Sequence, residues 1–235
     1  MKRVQQLNFP FLLLLILAQH IYVSTSFTPT PFNAFQQFFN NPSSIFRTNE
    51  KNTETKRVDE LKKALLTECR TNNGSNNRAE IEELIQELKE IRPIEGTAIS
   101  PLLQKEWLLV WTTEKEINLF IDWNISGDIT QTIQNNVLTN DIQFQKGGSL
   151  SVIGSLGPND GNEEVTNSDD STNENNSNSL IRTNFEFESA TLDLAKWGSY
   201  NFPPLGKGWF DTVFLDEELR VDLNSRDDIL ICTSK

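Results

Sequence analysis

Residues 208–222 read Gly-Trp-Phe-Asp-Thr-Val-Phe-Leu-Asp-Glu-Glu-Leu-Arg-Val-Asp, and this stretch decides the fold. It contains two alternating runs, 209–215 and 218–224, that are rich in aromatic and branched side chains. The acidic group 216–218 lies where the two runs meet. Period-two alternation on both sides of a polar corner predicts two antiparallel strands joined by a turn. We interpret this pair as the closing hairpin of a β-barrel.

The same alternation continues outward from this stretch over most of residues 104–235. Short runs of β-branched and aromatic residues are separated by Gly, Asn and Asp, which is typical of strands joined by turns. The predicted strands lie near 105–113, 116–122, 128–134, 137–145, 149–155, 180–188, 190–197, 209–215, 218–224 and 228–233. Eight or more successive short strands predict an antiparallel β-barrel. A barrel of about eight strands can be filled by its own side chains or can hold one small ligand.

Before the strands, the apolar residues follow a helical period. Two stripes have this spacing, namely Val58, Leu61, Leu65 and Cys69, and then Ile81, Leu84, Ile85, Leu88 and Ile91. Asn77 with Glu80 predicts the start of the second helix, and Pro93 predicts its end. The expected fold class is therefore mainly β, an antiparallel barrel with an N-terminal helical hairpin packed on it.

The first 52 residues differ in composition from everything that follows. Lys2 and Arg3 precede the apolar run Phe9–Ala18, which is about half the roughly 20 residues that a membrane-spanning helix needs. We therefore predict a signal peptide over residues 1–26. Residues 27–52 are rich in Phe, Thr, Pro, Asn and Ser and poor in acids, which predicts a transit-peptide-like segment. The alternative is a secreted protein with an N-terminus that does not fold.

The remaining residues, 53–235, suffice for one domain with its own core. Within them, residues 159–179 are rich in Asn and Ser, contain six acids and no base, and predict a disordered insertion. Three of the 21 basic residues precede residue 50, so 18 basic and 33 acidic residues remain and the net charge is −15. This charge repels the phosphates of nucleic acid, so we expect no nucleic-acid partner. Membrane contact would require neutral lipids, an apolar rim or a local basic patch.

The chemistry open to the mature chain is limited. The one histidine of the sequence, His20, lies in the predicted signal peptide, so the mature chain has none. This excludes Ser-His-Asp and Cys-His nucleophiles and histidine-containing metal sites. Cys69 and Cys232 do not have the spacing of a metal site. A disulfide between them is one alternative, but the sequence favours two free buried thiols. The acids near residues 216–218 lie at a turn, where solvation removes the desolvation that an acid–base pair needs. We expect no catalytic residue, no cofactor and no metal.

Three segments, residues 107–113, 127–133 and 208–222, resemble one protein family. They resemble the plastid lipid-associated proteins, also called fibrillins, and the resemblance covers about residues 58–233. It implies a lipocalin-like barrel associated with plastid lipids and membranes. A signal peptide followed by a transit-like segment that opens on Phe27 is similar to the bipartite leaders of algal plastid proteins. We therefore expect the protein in the plastid (chloroplast), reached through a bipartite signal plus transit leader.

The resemblance also implies a structural pair. Lipocalin-like folds open with a strand whose Trp closes one barrel end and packs against an Arg from a late strand, and Trp107 and Arg220 match those roles. Stacking of such a pair contributes about 0.5–2 kcal/mol. The acidic corner is either a solvated turn or a clamp in which Asp216 pairs with Arg220. We assign Trp107, Asp216 and Arg220 to barrel closure.

Strict alternation predicts which side chains face inward. It places Trp107, Leu109 and Trp111 on one face of their strand, and it makes the pooled inward set aromatic and nearly free of charge. The candidate apolar ligand-binding residues are Trp111, Phe144, Phe185, Phe187 and Phe214. This set suits an apolar ligand, although a filled core has the same sequence pattern.

Further aromatic residues lie in the loop that precedes the closing hairpin. Tyr200, Phe202 and Trp209 surround a Pro-Pro-Leu-Gly segment near the expected barrel mouth. Exposed aromatic side chains there could insert into a lipid monolayer, or the loop could pack over the barrel end.

These observations lead to one functional expectation and two alternatives. We expect a non-enzymatic plastid protein that binds or shelters an apolar molecule, such as a carotenoid, quinone or other lipid, or that coats lipid bodies (plastoglobules) and thylakoid membranes. The first alternative is a structural or assembly partner of plastid membrane complexes with a filled barrel. The second, an enzyme acting on a lipid or tetrapyrrole, is disfavoured by the lack of histidine and of a convergent acid–base pair.

Overall fold

The computed structural model describes residues 50–71, 77–91, 96–158, 181–203 and 206–235. Residues Thr53–Lys235 form one compact unit. The predicted signal peptide, the predicted transit-like segment up to residue 49 and the predicted insertion 159–179 lie outside the described residues.

The helices precede or interrupt the strands. α1 covers Glu50–Arg70, α2 covers Arg78–Ile91, and the short α3 covers Lys115–Asp122. Single 3₁₀ turns lie at Thr97–Ile99, Pro101–Leu103 and Ala195–Trp197. The two long helices confirm the predicted apolar stripes, although α1 begins eight residues before Val58. None of the described helices is both long and apolar enough to span a membrane.

The strands found in the described part of the chain form one antiparallel sheet. They are β1 Glu106–Thr112, β2 Ser126–Gln134, β3 Val137–Phe144, β4 Ser149–Pro158, β5 Arg182–Asp193, β6 Ser199–Phe202, β7 Gly206–Leu215, β8 Leu219–Asn224 and β9 Ile229–Ser234. Their order is β4-β3-β2-β1-β9-β8-β7-β5-β6, and an additional β4–β5 pairing joins the sheet to itself. Eight strands therefore form a closed ring, and β6 pairs with the end of β5. The predicted mainly β, antiparallel class is confirmed, with three α-helices among the described residues.

The predicted strand at 116–122 is wrong, because these residues form α3. Ile117, Leu119 and Ile121 alternate as in a strand, but Ile117, Phe120 and Ile121 also have helical spacing. Such a short run fits both periods. The buried Phe120 decides for the helix, since its ring stacks on Phe144 with centroids 6.3 Å apart.

The two predicted strands at 180–188 and 190–197 are one strand, β5, followed by a 3₁₀ turn and β6. Ile153 pairs with Ser189 and the next residue, Gly154, pairs with Phe187, so the register shifts there. A β-bulge takes up one extra residue and changes which side chains face inward. The change of pattern that predicted a turn is therefore a bulge within a continuous strand.

Buried apolar residues form clusters on both sides of the sheet. The outer cluster joins α1 and α2 to β1, β7, β8 and β9 through residues such as Leu65, Ile81 and Val221. The inner cluster takes residues from strands that are not neighbours, such as Leu138 on β3 and Phe210 on β7, and so lies inside the ring. The helices therefore pack on the outside of the ring, as the stripes predicted.

Two further bulges correct the predicted inward face. The register shifts between Leu109 and Trp111 on β1 and between Thr212 and Phe214 on β7. Because a shift of one residue moves all later side chains to the opposite face, Trp111 and Phe214 lie in the outer cluster against the helices. The prediction that Trp107, Leu109 and Trp111 share one face is wrong.

Candidate functional site

The inside of the strand ring is centred on Trp107 and Arg220. Both side chains are fully buried, and Arg220 Cζ lies 5.2 Å from the centroid of the Trp107 ring. The indole Nε1 donates a hydrogen bond of 2.9 Å to the carbonyl oxygen of Leu103. Phe210 lies on another side of the guanidinium, with its centroid 5.9 Å from Arg220 Cζ. The structure thus brings together the pair that the family resemblance pointed to.

Arg220 belongs to a polar layer that crosses the ring. Its Nε lies 3.0 Å from Asp222 Oδ2, and its Nη2 donates to Gln131 Oε1 on β2. Gln131 Nε2 donates in turn to Asn140 Oδ1 on β3, at 2.8 Å. Asp222 Oδ1 accepts a 2.8 Å hydrogen bond from Thr212 Oγ1. The inner face therefore carries a buried ion pair, which corrects the prediction of an inward set nearly free of charge.

Burial controls the protonation of this layer. It raises the pKa of Asp222 above its ordinary value, against the opposing effect of Arg220. It also raises the pKa of the Cys232 thiol to about 12, although Arg220 Nη2 lies 4.0 Å from the sulfur. Cys69, in the outer cluster, has its pKa raised to about 12 for the same first reason. Both cysteines are free and buried, and neither has the thiolate that nucleophilic chemistry requires.

Aromatic side chains line the inner face beside the polar layer. The ring centroids of Phe185 and Phe187 are 4.9 Å apart, and Phe185 lies 6.4 Å from Phe210. Phe144 is also inward and buried, where it stacks on Phe120. Of the five candidate lining residues, the structure therefore places Phe144, Phe185 and Phe187 inside the ring and separates them from Trp111 and Phe214.

Several inward-facing side chains are only half-buried. Register and alternation place Gln131, Asn140 and Val152 in one row across the inside, yet all three are only half-buried. Phe185 and Phe187 are also half-buried, although they pack against the inner cluster. Inward-facing side chains on β2, β3, β4 and β5 thus keep accessible surface.

The acidic corner lies apart from this interior. Asp216 does not form the proposed clamp with Arg220, because its carboxylate accepts a 2.7 Å hydrogen bond from Lys62 on α1. Lys62 Nζ also donates to Glu218, at 2.8 Å. Burial acts to raise the pKa of Asp216, but the Lys62 hydrogen bond and the backbone N–H groups of Glu218 and Leu219 bring it below its ordinary value. The corner is therefore an attachment point for α1, which sequence reasoning missed.

Another ionisable group with a shifted pKa, Glu114, lies between β1 and α3. Glu114 accepts a 2.7 Å hydrogen bond from Asn224 Nδ2 and lies 3.6 Å from Arg226 Nη2. Burial raises the pKa of Glu114 to about 7, although Arg226 acts in the opposite direction. Arg226 also pairs with Glu116, so this cluster ties the β8–β9 turn to the start of α3.

Three exposed aromatic residues lie at one end of the ring, which we call the aromatic end: Trp123, Trp197 and Tyr200, with exposed fractions of 47%, 76% and 50%. The turns that carry them are in contact through the β3–β4 turn. On one side, Gln145 N donates to Ile125 O at 2.9 Å. On the other, Gly148 lies so close to Asp193 that a Cβ would come within 2.3 Å of its carbonyl oxygen.

The predicted loop group changes accordingly. Tyr200 is exposed, but Phe202 is half-buried and Trp209 lies under Arg182, whose Cζ is 3.6 Å from its ring centroid. Trp123 and Trp197 join Tyr200 because the turns of three different strand pairs meet there. Trp123 is far from Trp197 and Tyr200 in the sequence, so the sequence alone did not predict this group.

The PAP_fibrillin family model matches residues 59–233. The "Probable plastid-lipid-associated protein 11, chloroplastic" of Arabidopsis thaliana is 34% identical over 136 residues, which are 55% of this chain and 55% of that protein. The chain thus spans about half the length of this curated relative. No solved structure matches the chain significantly.

Proposed function

This chain belongs to the PAP_fibrillin family, and from that premise we propose that it is a non-catalytic plastid protein that binds or shelters an apolar small molecule inside its strand ring. One observation carries the proposal. Aromatic side chains, Phe185 and Phe187 among them, line an interior in which inward-facing residues keep accessible surface. Clefts lined mainly by apolar and aromatic side chains with a few placed polar groups are typical of small-molecule sites.

The finer architecture is part of the same proposal. We regard the ring as a lipocalin-like barrel and α1 with α2 as its helical hairpin. The stacked Trp107 and Arg220 support this view, since that pair closes one end of lipocalin-like folds. A crystal structure of the protein with its ligand would test it, and a ligand found outside the ring would contradict it.

The plastid location is supported by the name of the similar plant protein, which is chloroplastic and plastid-lipid-associated. The composition of residues 1–52 fits the proposed bipartite leader.

Organelle fractionation followed by purification without detergent tests location and function together. We expect the protein in the plastid fraction and, in its organic extract, an apolar compound at a near-stoichiometric amount by mass spectrometry. A plastid protein of similar size, purified in the same way, controls for adventitious lipid. A ligand-free protein would contradict the proposal and favour the alternative, an assembly partner with a filled interior.

Coating of lipid surfaces is a second candidate function, and the aromatic end favours it. Trp and Tyr side chains suit the boundary between water and lipid. Residues 50–235 carry a net charge of −15, which would be repelled by anionic headgroups, so we expect the protein to bind neutral lipids.

Replacing Trp197 with Ser should weaken binding to vesicles of neutral galactolipid about tenfold, since burying a large apolar side chain contributes roughly 1.5 kcal/mol or more. Flotation with increasing lipid measures this. Val137→Ser is the matched control. Val137 is 44% exposed but lies at the start of β3, next to the end of β2 that is far from the aromatic end. Equal losses for the two variants would contradict docking through the aromatic end.

A further inference from the structure

In the described part of the chain, three buried polar side-chain atoms make no hydrogen bond: Thr183 Oγ1, Arg220 Nε and Arg220 Nη1. Of these, Arg220 Nε lies 3.0 Å from its ion-pair partner Asp222 Oδ2, which leaves two atoms with no polar partner among the described residues. Thr183 is 2% exposed and Arg220 is 0% exposed. Buried polar groups of native proteins are nearly always paired, so each unpaired one calls for an explanation.

Phe210 is a neighbour of both residues. Thr183 is the β5 partner of Phe210 in the ladder, and the Phe210 centroid lies 5.9 Å from Arg220 Cζ. Thr183 shares its strand face with Phe185 and Phe187, the half-buried aromatic pair. The unpaired donors therefore face the same aromatic interior that retains accessible surface.

The remaining contacts of Arg220 limit what can bind its free N–H group. Its charge is already balanced by Asp222, 3.0 Å away, and its Nη2 is used by Gln131. A second buried carboxylate would lack a counter-charge, and uncompensated buried charges are strongly unfavourable. A neutral oxygen acceptor has no such penalty, because Nη1 and a hydroxyl are both hydrogen-bond donors.

We infer that Arg220 Nη1 and Thr183 Oγ1 donate to neutral carbonyl oxygens of the bound molecule, so that the ring selects apolar molecules with keto or quinone groups over plain hydrocarbons. This inference rests on the proposed function, since it needs a ligand inside the ring. The aromatic side chains contact the apolar body of the ligand, and the two donors fix its polar groups. The polar layer behind them, from Asp222 to Asn140, holds the guanidinium in place.

Titration of the full-length chain with three probes tests the inference: decyl-plastoquinone, decylbenzene, which has no oxygen, and lauric acid, which has a carboxylate. The wild-type chain should bind the quinone at least about tenfold more tightly than decylbenzene. Thr183→Val should weaken quinone binding roughly 2- to 10-fold, the effect of one hydrogen bond, and leave decylbenzene binding unchanged. This variant should keep its thermal stability, because the hydroxyl that it removes has no partner in the described structure.

The control variant is Thr130→Val, which makes the same change at a buried threonine whose register places it on the outer face of β2. It should bind all probes as the wild type does. Equal binding of quinone and decylbenzene, or no effect of Thr183→Val, would overturn the inference while leaving the proposed function intact. Tighter binding of lauric acid than of the quinone would overturn the choice of a neutral oxygen. If no probe binds the wild-type chain, the proposed function fails as well.

Discussion

Replacing Arg220 with Met should lower the free energy of unfolding by about 3–5 kcal/mol, because it leaves the buried carboxylate of Asp222 without its counter-charge. Met retains most of the apolar stem, so the loss is mainly electrostatic. Urea denaturation at neutral pH, followed by circular dichroism, measures the change. The difference in the free energy of unfolding between the variant and the wild type should become smaller as the pH falls. Burial already raises the pKa of Asp222, and protonation of its carboxyl removes the unpaired charge.

The double variant Arg220→Met, Asp222→Asn is the control. It removes both charges, so it should recover most of the stability that the single variant loses. Asn keeps an oxygen that can accept the hydrogen bond from Thr212. A single variant that loses less than about 1 kcal/mol, or a double variant that loses as much as the single one, would contradict the assignment of Arg220 and Asp222 as a mutually dependent pair.

Replacing Leu65 with Ala should lower the free energy of unfolding by about 2–5 kcal/mol, the usual range for a leucine in a tight core. Leu65 is fully buried on α1 and packs in the outer cluster with Trp111 and Phe214. The truncation opens a cavity between the helix and the sheet, which the surrounding strands can fill only in part. Thermal or urea unfolding measures the loss.

The neighbouring residue supplies a matched control for this prediction. Leu66 is half-buried at the margin of the same cluster, so Leu66→Ala should lose less than half as much stability. Equal losses at the two positions would show that α1 does not rest on the sheet through the Leu65 face.

Periodicity predicted the helices and most strands because each of these elements buries one face. Leu65 and Ile81 follow a helical period, and the strands from β2 to β4 lie close to their predicted bounds. The predictions for residues 116–122 and 180–197 were wrong. A short helix was read as a strand because its apolar residues also alternate, and a bulge was read as a turn because it interrupts the alternation. Local sequence holds little information on whether a strand continues through a bulge.

The candidate site was predicted correctly where the family resemblance supplemented the hydrophobic periodicity. Trp107 and Arg220 were paired by resemblance, and the structure places them in contact. Alternation alone misplaced Trp111 and Phe214, because it assumes an unbroken register. The partner of Asp216 could not be found either, since Lys62 lies 154 residues away in the sequence. Contacts of that range depend on how the helices dock on the sheet, which local patterns do not encode.

The place of β9 in the ring also bears on how the molecule forms. β9 pairs with β8, which precedes it closely, and with β1, where Leu108 meets Thr233 across more than a hundred intervening residues. All the other strands of the ring precede β9 in the sequence and are synthesised first. The edges of β1 and β8 that pair with β9 therefore stay unpaired until β9 emerges from the ribosome. Contacts between such distant residues slow folding. Exposed edges in this interval can pair with other chains, so the nascent protein is open to aggregation until β9 has paired with both neighbours.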